Sequence, residues 1–167
     1  MRRWPRGIRL LVAAAAVGLL HAAFSLYWAL GGRWLLRTVG AWAVQLADNS
    51  PAATGVVLGL LAALKVAGAV VPVLVETGKL RGRRAWRTLT WFGACGLVAY
   101  GLLNVLVAWS VLAGLVTPHG GYDAAAMMGH AALWDPLFLV WGLLLAGGLA
   151  RTRGGVESNS SAGPAVR

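Results

Sequence analysis

Four long apolar stretches constrain the fold of this chain more than any other feature. They cover about residues 8–30, 51–75, 89–116 and 124–150. About 20 mostly apolar helical residues cross a bilayer core of about 30 Å, and each stretch reaches that length. No segment alternates apolar and polar residues as the strands of a membrane barrel do. We therefore predict an all-α fold, a membrane-spanning four-helix bundle that forms a single transmembrane domain over residues 1–153.

The composition excludes most soluble functions. Hydrophobic residues make up 59% of the 167 residues and charged residues 12%, against about 45–50% and about 25% in ordinary soluble domains. A soluble domain of this size has too little interior to bury so much apolar surface, and almost no chain remains for a catalytic domain outside the membrane. The net charge of +10 then indicates membrane orientation, and we predict no nucleic-acid partner.

The basic residues lie mostly on one side of the predicted membrane. Twelve of the 15 lie before or just inside the first span, between the second and third spans, or after the fourth: Arg2, Arg3, Arg6, Arg9, Lys79, Arg81, Arg83, Arg84, Arg87, Arg151, Arg153 and Arg167. Because short basic loops stay in the cytoplasm, we predict that both termini are cytoplasmic and that loops 31–50 and 117–123 face outward. The Arg-rich, Ala-rich and Gly-rich composition favours a bacterial cytoplasmic membrane.

Three segments outside the spans carry predictions of their own. Residues 154–167, rich in Gly and Ser, are predicted to be a disordered cytoplasmic tail. The basic loop 79–87 suits anionic lipid headgroups. The first outer loop places apolar side chains at helical spacing, which predicts a short amphipathic helix on the membrane surface. The residues of this apolar stripe are Leu35, Val39, Trp42 and Leu46.

Lys65 is the most informative residue because it is a charge deep inside a span. At 1.5 Å per residue it lies roughly 21 Å and 15 Å from the two ends of that span. A charge at this depth costs at least about 2.5–3.5 kcal/mol unless a partner compensates it. Asp135, the acidic residue at similar depth in the fourth span, lies roughly 18 Å from the outer end. We therefore predict a Lys65–Asp135 ion pair.

The other two spans add polar groups at the same level. His21 and Asn104 fall within a slab roughly 7 Å thick that also holds Lys65 and Asp135. The candidate buried polar layer, which we predict to be structural or to line a small-molecule or ion site, consists of Lys65, Asp135, His21, Asn104, His130, Ser25 and Tyr100. Pro136 follows Asp135 directly and is predicted to kink the fourth helix.

Several chemistries remain open for this layer. The charged groups could fix helix register, conduct protons or ions, or bind a small molecule. Histidines on facing helices could hold a haem, here His21 and His130, and His119, Asp123 and His130 could contact a divalent metal. No nucleophile–base pair, phosphate loop or zinc motif occurs. We expect a non-enzymatic protein with no resident cofactor; the alternative is a membrane-embedded enzyme or haem carrier. The partners are the lipid bilayer and either a membrane protein or a second copy.

The chain resembles a bacterial family of small four-helix integral membrane proteins described only as a domain of unknown function. Two segments carry the resemblance, His-Ala-Ala-Phe-Ser-Leu-Tyr-Trp-Ala-Leu-Gly-Gly over residues 21–32 and Gly-His-Ala-Ala-Leu-Trp-Asp-Pro-Leu-Phe-Leu-Val-Trp-Gly over residues 129–142. The Trp-Asp-Pro run is the more specific part. The resemblance implies four membrane helices over roughly residues 8–150 and no activity or functional residue.

Overall fold

A computed structural model describes residues 4–152, which are helical and contain no strand within that range. The helices are α1 (Arg6–Ala29), α2 (Ala41–Asn49), α3 (Pro51–Glu76), α4 (Arg83–Leu112), α5 (Ala124–Gly129) and α6 (Asp135–Arg151). A 3-10 turn covers Leu36–Thr38, and a π-helix over His130–Trp134 joins α5 to α6 without a break. The predicted tail, residues 154–167, lies outside the described residues.

Four of these segments are long and apolar enough to cross a membrane, the fourth being the continuous α5–π–α6 helix over Ala124–Arg151. The predicted all-α membrane bundle is confirmed, and the protein is a multi-pass membrane protein. The third span differs most from its predicted bounds, since it begins at Arg83 and ends at Leu112. It ends early because Gly114 adopts a φ of 71°, a left-handed conformation that stops a helix.

The four long helices are not packed symmetrically. The central pair is α1 and α6; α3 packs against α1, and α4 packs against α6. Small residues bring the backbones close, since a Cβ on Gly101 would lie 2.6 Å from the Leu139 nitrogen and one on Gly18 would lie 2.6 Å from the Trp141 ring. Helices α3 and α4 contact each other little, so a groove remains between them.

Residues 33–49, which we call the cap, close one end of the bundle. They are helical as predicted, but in two pieces, because Leu35 takes a left-handed φ of 60° and Gly40 a φ of 136°. The break divides the predicted stripe: Leu35 and Val39 are partly buried against the cluster of Trp28 and Trp134, while Trp42 is 61% exposed. The side chains buried beneath the cap are Leu36, Ala43 and Ala47.

Hydrogen bonds fasten the cap to the spans. The Trp28 indole Nε1 donates to the Trp34 carbonyl oxygen at 2.9 Å. The Trp134 indole Nε1 donates to the Thr38 carbonyl oxygen at 3.2 Å and lies 3.1 Å from the Thr38 hydroxyl. Gly129 passes directly beneath, where a Cβ would lie 2.2 Å from the Thr38 carbonyl oxygen. The cap therefore rests on the last span at a point where only glycine fits.

At the opposite end, a buried carboxylate joins three segments. The Glu76 side chain is 2% exposed and pairs with Arg83, at 2.8 Å, and with Arg87. Arg87 also donates to the Leu149 carbonyl oxygen at 2.7 Å and to the Thr152 hydroxyl at 2.8 Å. We call these residues the Glu76 cluster. It ties the end of α3 and the start of α4 to the end of α6.

Two helices begin after a residue type that can cap them, α5 after Asp123 and α3 after Ser50. Asp123 caps α5, because its carboxylate accepts from the backbone nitrogens of Ala125 at 3.0 Å and Ala126 at 3.2 Å. Ser50 precedes α3 with Pro51 at the first turn, but its side chain makes no capping hydrogen bond.

Candidate functional site

The π-helix arranges the first part of the site. Proline has no N–H to bond the carbonyl four residues earlier, so Pro136 interrupts the α-helical ladder at Ala132. The predicted irregularity is confirmed, and it takes the form of a π-helix over His130–Trp134. Residues five apart would point about 140° from each other on a regular α-helix. The wider turn brings them together, and His130 Nδ1 lies 3.0 Å from Asp135 Oδ2.

The contacts of His130 fix how many protons it shares with Asp135. Its Nε2 lies 3.2 Å from the Val39 carbonyl oxygen of the cap, an atom that can only accept. Nε2 must therefore carry a proton. The Nδ1–Oδ2 contact needs one more, carried either by His130, as an imidazolium beside a carboxylate, or by Asp135, as an acid beside a neutral imidazole. In both forms the pair has no net charge.

Lys65 has a separate set of partners on α1. Its Nζ lies 2.8 Å from Ser25 Oγ and 3.1 Å from His21 Nδ1. An ammonium can only donate, so His21 Nδ1 accepts and the imidazole proton sits on Nε2. Both acceptors are neutral.

The predicted direct Lys65–Asp135 ion pair is therefore wrong. No described carboxylate lies within 4.0 Å of Lys65, and the partner of Asp135 is His130. The two depths computed from the sequence were similar, but depth along a helix does not give the direction in which a side chain points. The Asp135 partner lies on its own helix, at a spacing that only a π turn makes close.

Asn104 and Tyr100 join the site to different extents. The Asn104 amide donates to the Tyr100 carbonyl oxygen of its own helix at 2.8 Å and makes no described hydrogen bond to the other polar residues. The Tyr100 ring packs edge-on against Phe138, with ring centroids 5.5 Å apart. Lys65 Nζ also lies 5.5 Å from the Phe138 centroid, so Lys65 and Tyr100 meet at this ring.

Two polar atoms in the middle of the site have no hydrogen-bond partner among residues 4–152. They are His21 Nε2, a donor, and Asp135 Oδ1, an acceptor, and both are buried. His21 is 4% exposed and Asp135 is fully buried. The His21 ring packs against Phe138 of α6, with centroids 4.1 Å apart, and against Trp134 of the π-helix, with centroids 5.8 Å apart. These residues flank Asp135, so the orphan donor and acceptor lie in the same α1–α6 interface.

The groove between α3 and α4 lies beside Lys65. It has a volume of about 700 Å³, and Phe138, Trp141 and Leu145 of α6 form its floor. Its walls are apolar except near Lys65, Tyr100 and Thr90, and the Thr90 hydroxyl is already bonded to the Trp86 carbonyl oxygen. The sequence analysis named Lys65 and Tyr100 but not the groove. The sequence feature that could have indicated the groove is the set of small residues on α3 and α4, namely Gly68, Gly93 and Gly96.

The haem hypothesis does not fit this geometry, because both ring nitrogens of His130 already contact protein atoms. His119, the third residue of the predicted metal contact with Asp123 and His130, is exposed in a loop. Within residues 4–152, no three or more His, Cys, Asp or Glu side chains are grouped so as to hold a metal ion.

Comparison with known proteins gives a family and no activity. The family described as "Protein of unknown function (DUF3995)" matches residues 18–145, which include both segments singled out in the sequence and every residue of the site. No curated protein matches the chain, and no solved structure does. The match covers more than half of the chain, so this membrane protein belongs to the DUF3995 family.

Proposed function

We propose that this protein is a non-enzymatic, multi-pass protein of the bacterial cytoplasmic membrane that binds a small amphiphile with an acidic headgroup. The headgroup pairs with Lys65, and the apolar part lies in the groove between α3 and α4. The observation that carries the proposal is the isolation of the Lys65 amine from any counter-charge. Within residues 4–152 its hydrogen bonds go only to the neutral acceptors His21 and Ser25, and it lines the groove.

Charge is the first argument. An ammonium at this depth costs at least about 2.5–3.5 kcal/mol if it remains uncompensated. Asp135 does not supply the counter-charge, because its partner is His130. An acidic headgroup on Lys65 would supply it from outside the protein. Tyr100 lines the same part of the groove, and its phenol offers a second donor to such a group.

Size and polarity are the second argument. Small-molecule sites have volumes of about 300–1,000 Å³ and mostly apolar walls with a few polar groups that fix orientation. The groove has about 700 Å³ and this type of lining. From Lys65 and Tyr100 it continues past Gly68 and Leu97 to Trp86 and Leu145. An apolar tail would lie along this path in contact with lipid.

A fluorescent fatty acid tests the proposal. We expect cis-parinaric acid to bind saturably to the full-length protein in lipid nanodiscs and Lys65→Met to weaken binding about 10- to 100-fold, since a hydrogen bond to a charged group is worth about 1.5–3 kcal/mol. The methyl ester of the same probe should bind more weakly than the acid. Equilibrium fluorescence titration measures both.

The chain offers a matched control, because its other lysine, Lys79, is exposed in the loop before α4. Lys79→Met should bind the acid as the wild type does. Lys65→Arg should keep most of the affinity, because the positive charge is retained. If Lys65→Met elutes as a folded monodisperse protein and binds the acid with wild-type affinity, the proposed site is refuted.

We also propose that the cap faces outward and the Glu76 cluster lies at the cytoplasm, following the distribution of basic residues. In the loop before α4, Arg83 and Arg87 are engaged by Glu76. The exposed basic residues left for anionic headgroups are Lys79, Arg81 and Arg84.

Cysteine labelling of intact cells tests this orientation. In a Cys95→Ala background, Gln45→Cys in the cap should react with an impermeant maleimide, because the residue is exposed. Lys79→Cys should react only after permeabilisation. The reverse pattern would overturn the orientation.

A further inference from the structure

We propose that one water molecule binds between His21 and Asp135 and that protons pass through it between Lys65 and the cap side of the protein. This inference rests on the proposed function in one respect only, namely that Lys65 is the group that meets the ligand. The residues of this path, which we call the relay, are Lys65, His21, Asp135 and His130.

The orphan atoms in the α1–α6 interface are the first step. His21 Nε2 is a buried donor and Asp135 Oδ1 is a buried acceptor, and neither has a protein partner within residues 4–152. Buried polar groups are almost always hydrogen-bonded, and a buried water molecule is the usual partner of those that no protein group satisfies. One water that accepts from His21 and donates to Asp135 would satisfy both atoms.

Continuity is the second step. Lys65 Nζ lies 3.1 Å from His21 Nδ1, and Asp135 Oδ2 lies 3.0 Å from His130 Nδ1. With the water in place, hydrogen bonds run from the groove to His130, whose side chain is 33% exposed. Every protein group on this path can gain or lose a proton.

Proton transfer along the relay conserves protons and charge. The Lys65 ammonium gives a proton to His21 Nδ1, while His21 Nε2 passes its own proton through the water to Asp135 Oδ1. His130 releases its Nε2 proton to solvent, which breaks its contact with the Val39 carbonyl oxygen, and is left neutral beside Asp135, now protonated on Oδ1. The proton between His130 Nδ1 and Asp135 Oδ2 stays in place, so the pair holds two protons before and after, and the net change is one proton moved from Lys65 to solvent.

The other groups around the relay do not compete with it. On α1, Ser25 accepts from Lys65 and is a dead end on this path, since its hydroxyl otherwise contacts only the His21 carbonyl oxygen at 3.5 Å. On α4, the Tyr100 ring packs against the side of the Phe138 ring that faces the groove. The relay therefore joins proton supply on the cap side to the charge of Lys65, on which acid binding depends.

The histidines can be observed individually. With His119→Gln removing the exposed loop histidine, ¹⁵N-histidine NMR in nanodiscs should show His21 as the Nε2–H tautomer with a cross-peak to water. A His21 Nε2 proton that shows no contact with water would overturn the water site, and the wild-type residues of the relay are intact in this measurement.

The lysine provides the kinetic test. In a Lys79→Arg background, ¹⁵N-lysine labelling leaves Lys65 as the single side-chain signal. We expect His21→Gln to slow water exchange of the Lys65 amine protons by about 100-fold or more, the usual scale of a lost proton-transfer group. Glutamine can still accept from Lys65 and donate to the water, but it cannot carry a proton. Ser25→Ala, which also removes a Lys65 contact, should leave exchange within about twofold.

The outcomes separate the two proposals. If His21→Gln exchanges as fast as Ser25→Ala, the relay is refuted. Amphiphile binding at Lys65 is measured independently, by titrating the same variant with cis-parinaric acid at a pH where Lys65 is protonated. We expect His21→Gln to bind the acid there, because the amine and its hydrogen bonds are retained; slowed exchange in this variant without any acid binding by the wild-type protein would refute the proposed site and leave the relay supported.

Discussion

Replacing Gly129 by alanine should destabilise the protein by about 3 kcal/mol, the upper part of the range for overpacking. The new Cβ would lie 2.2 Å from the Thr38 carbonyl oxygen and 2.6 Å from the Thr38 Cβ. This carbonyl cannot swing aside as a side-chain end could, because it is backbone and accepts from the Trp134 indole. Relief of the clash requires the cap to lift from the π-helix. Thermal unfolding in nanodiscs, followed by circular dichroism, measures the loss.

Gly59→Ala is the matched control for this prediction. A Cβ at Gly59 meets nothing within 4 Å, and alanine is favoured over glycine inside a helix by about 1 kcal/mol. The control should melt at or above the wild-type temperature. Equal melting temperatures for Gly129→Ala and the wild type would show that the cap is not seated on the last span as described.

The second large effect is expected at the Glu76 cluster. Glu76→Gln removes the only carboxylate that contacts Arg87 among residues 4–152. Arg87 is 12% exposed, so its charge is left largely buried without a counter-ion. Losing one partner of a buried pair costs about 3–5 kcal/mol. We expect the lower end, because Arg87 keeps its bonds to the Leu149 carbonyl and the Thr152 hydroxyl.

An exposed ion pair serves as the control. Arg33 and Asp48 lie 2.8 Å apart, with side chains 49% and 58% exposed, and such pairs are worth at most about 1 kcal/mol. Asp48→Asn should therefore change the melting temperature little. Adding Arg87→Met to Glu76→Gln should recover part of the loss, since the stranded charge is removed. Equal losses for Glu76→Gln and Asp48→Asn would contradict a buried role for Glu76.

The spans could be predicted from sequence because membrane insertion depends on length and polarity, which one chain displays directly. The depth of each polar group followed from the same argument. The direction in which each polar side chain points did not follow from that argument. Whether Lys65 points at α1 or at α6 depends on the rotation of α3, which close contacts with other helices set, such as the one at Gly18, where a Cβ would lie 2.9 Å from the Ala69 Cβ.

The pairing of His130 with Asp135 was harder to foresee. Pro136 predicted an irregular helix, but a proline can produce a kink, a 3-10 turn or a π turn. Only the π turn brings side chains five residues apart together. The cap shows the same limit of prediction from sequence. Its apolar stripe assumed a regular helix through Gly40, but the φ of 136° at Gly40 breaks that helix.

The seating of the cap has a consequence for biogenesis. Thr38 and Trp134, which bond across this contact, are 96 residues apart in the chain, and Val39 and His130 are 91 apart. Synthesis runs from the N-terminus, so the loop that follows α1 is made long before the helix that anchors it exists. Until the fourth span is inserted, His21 and Lys65 sit in lipid without their α6 neighbours. The last helix made is thus the one that completes both the cap and the polar interior.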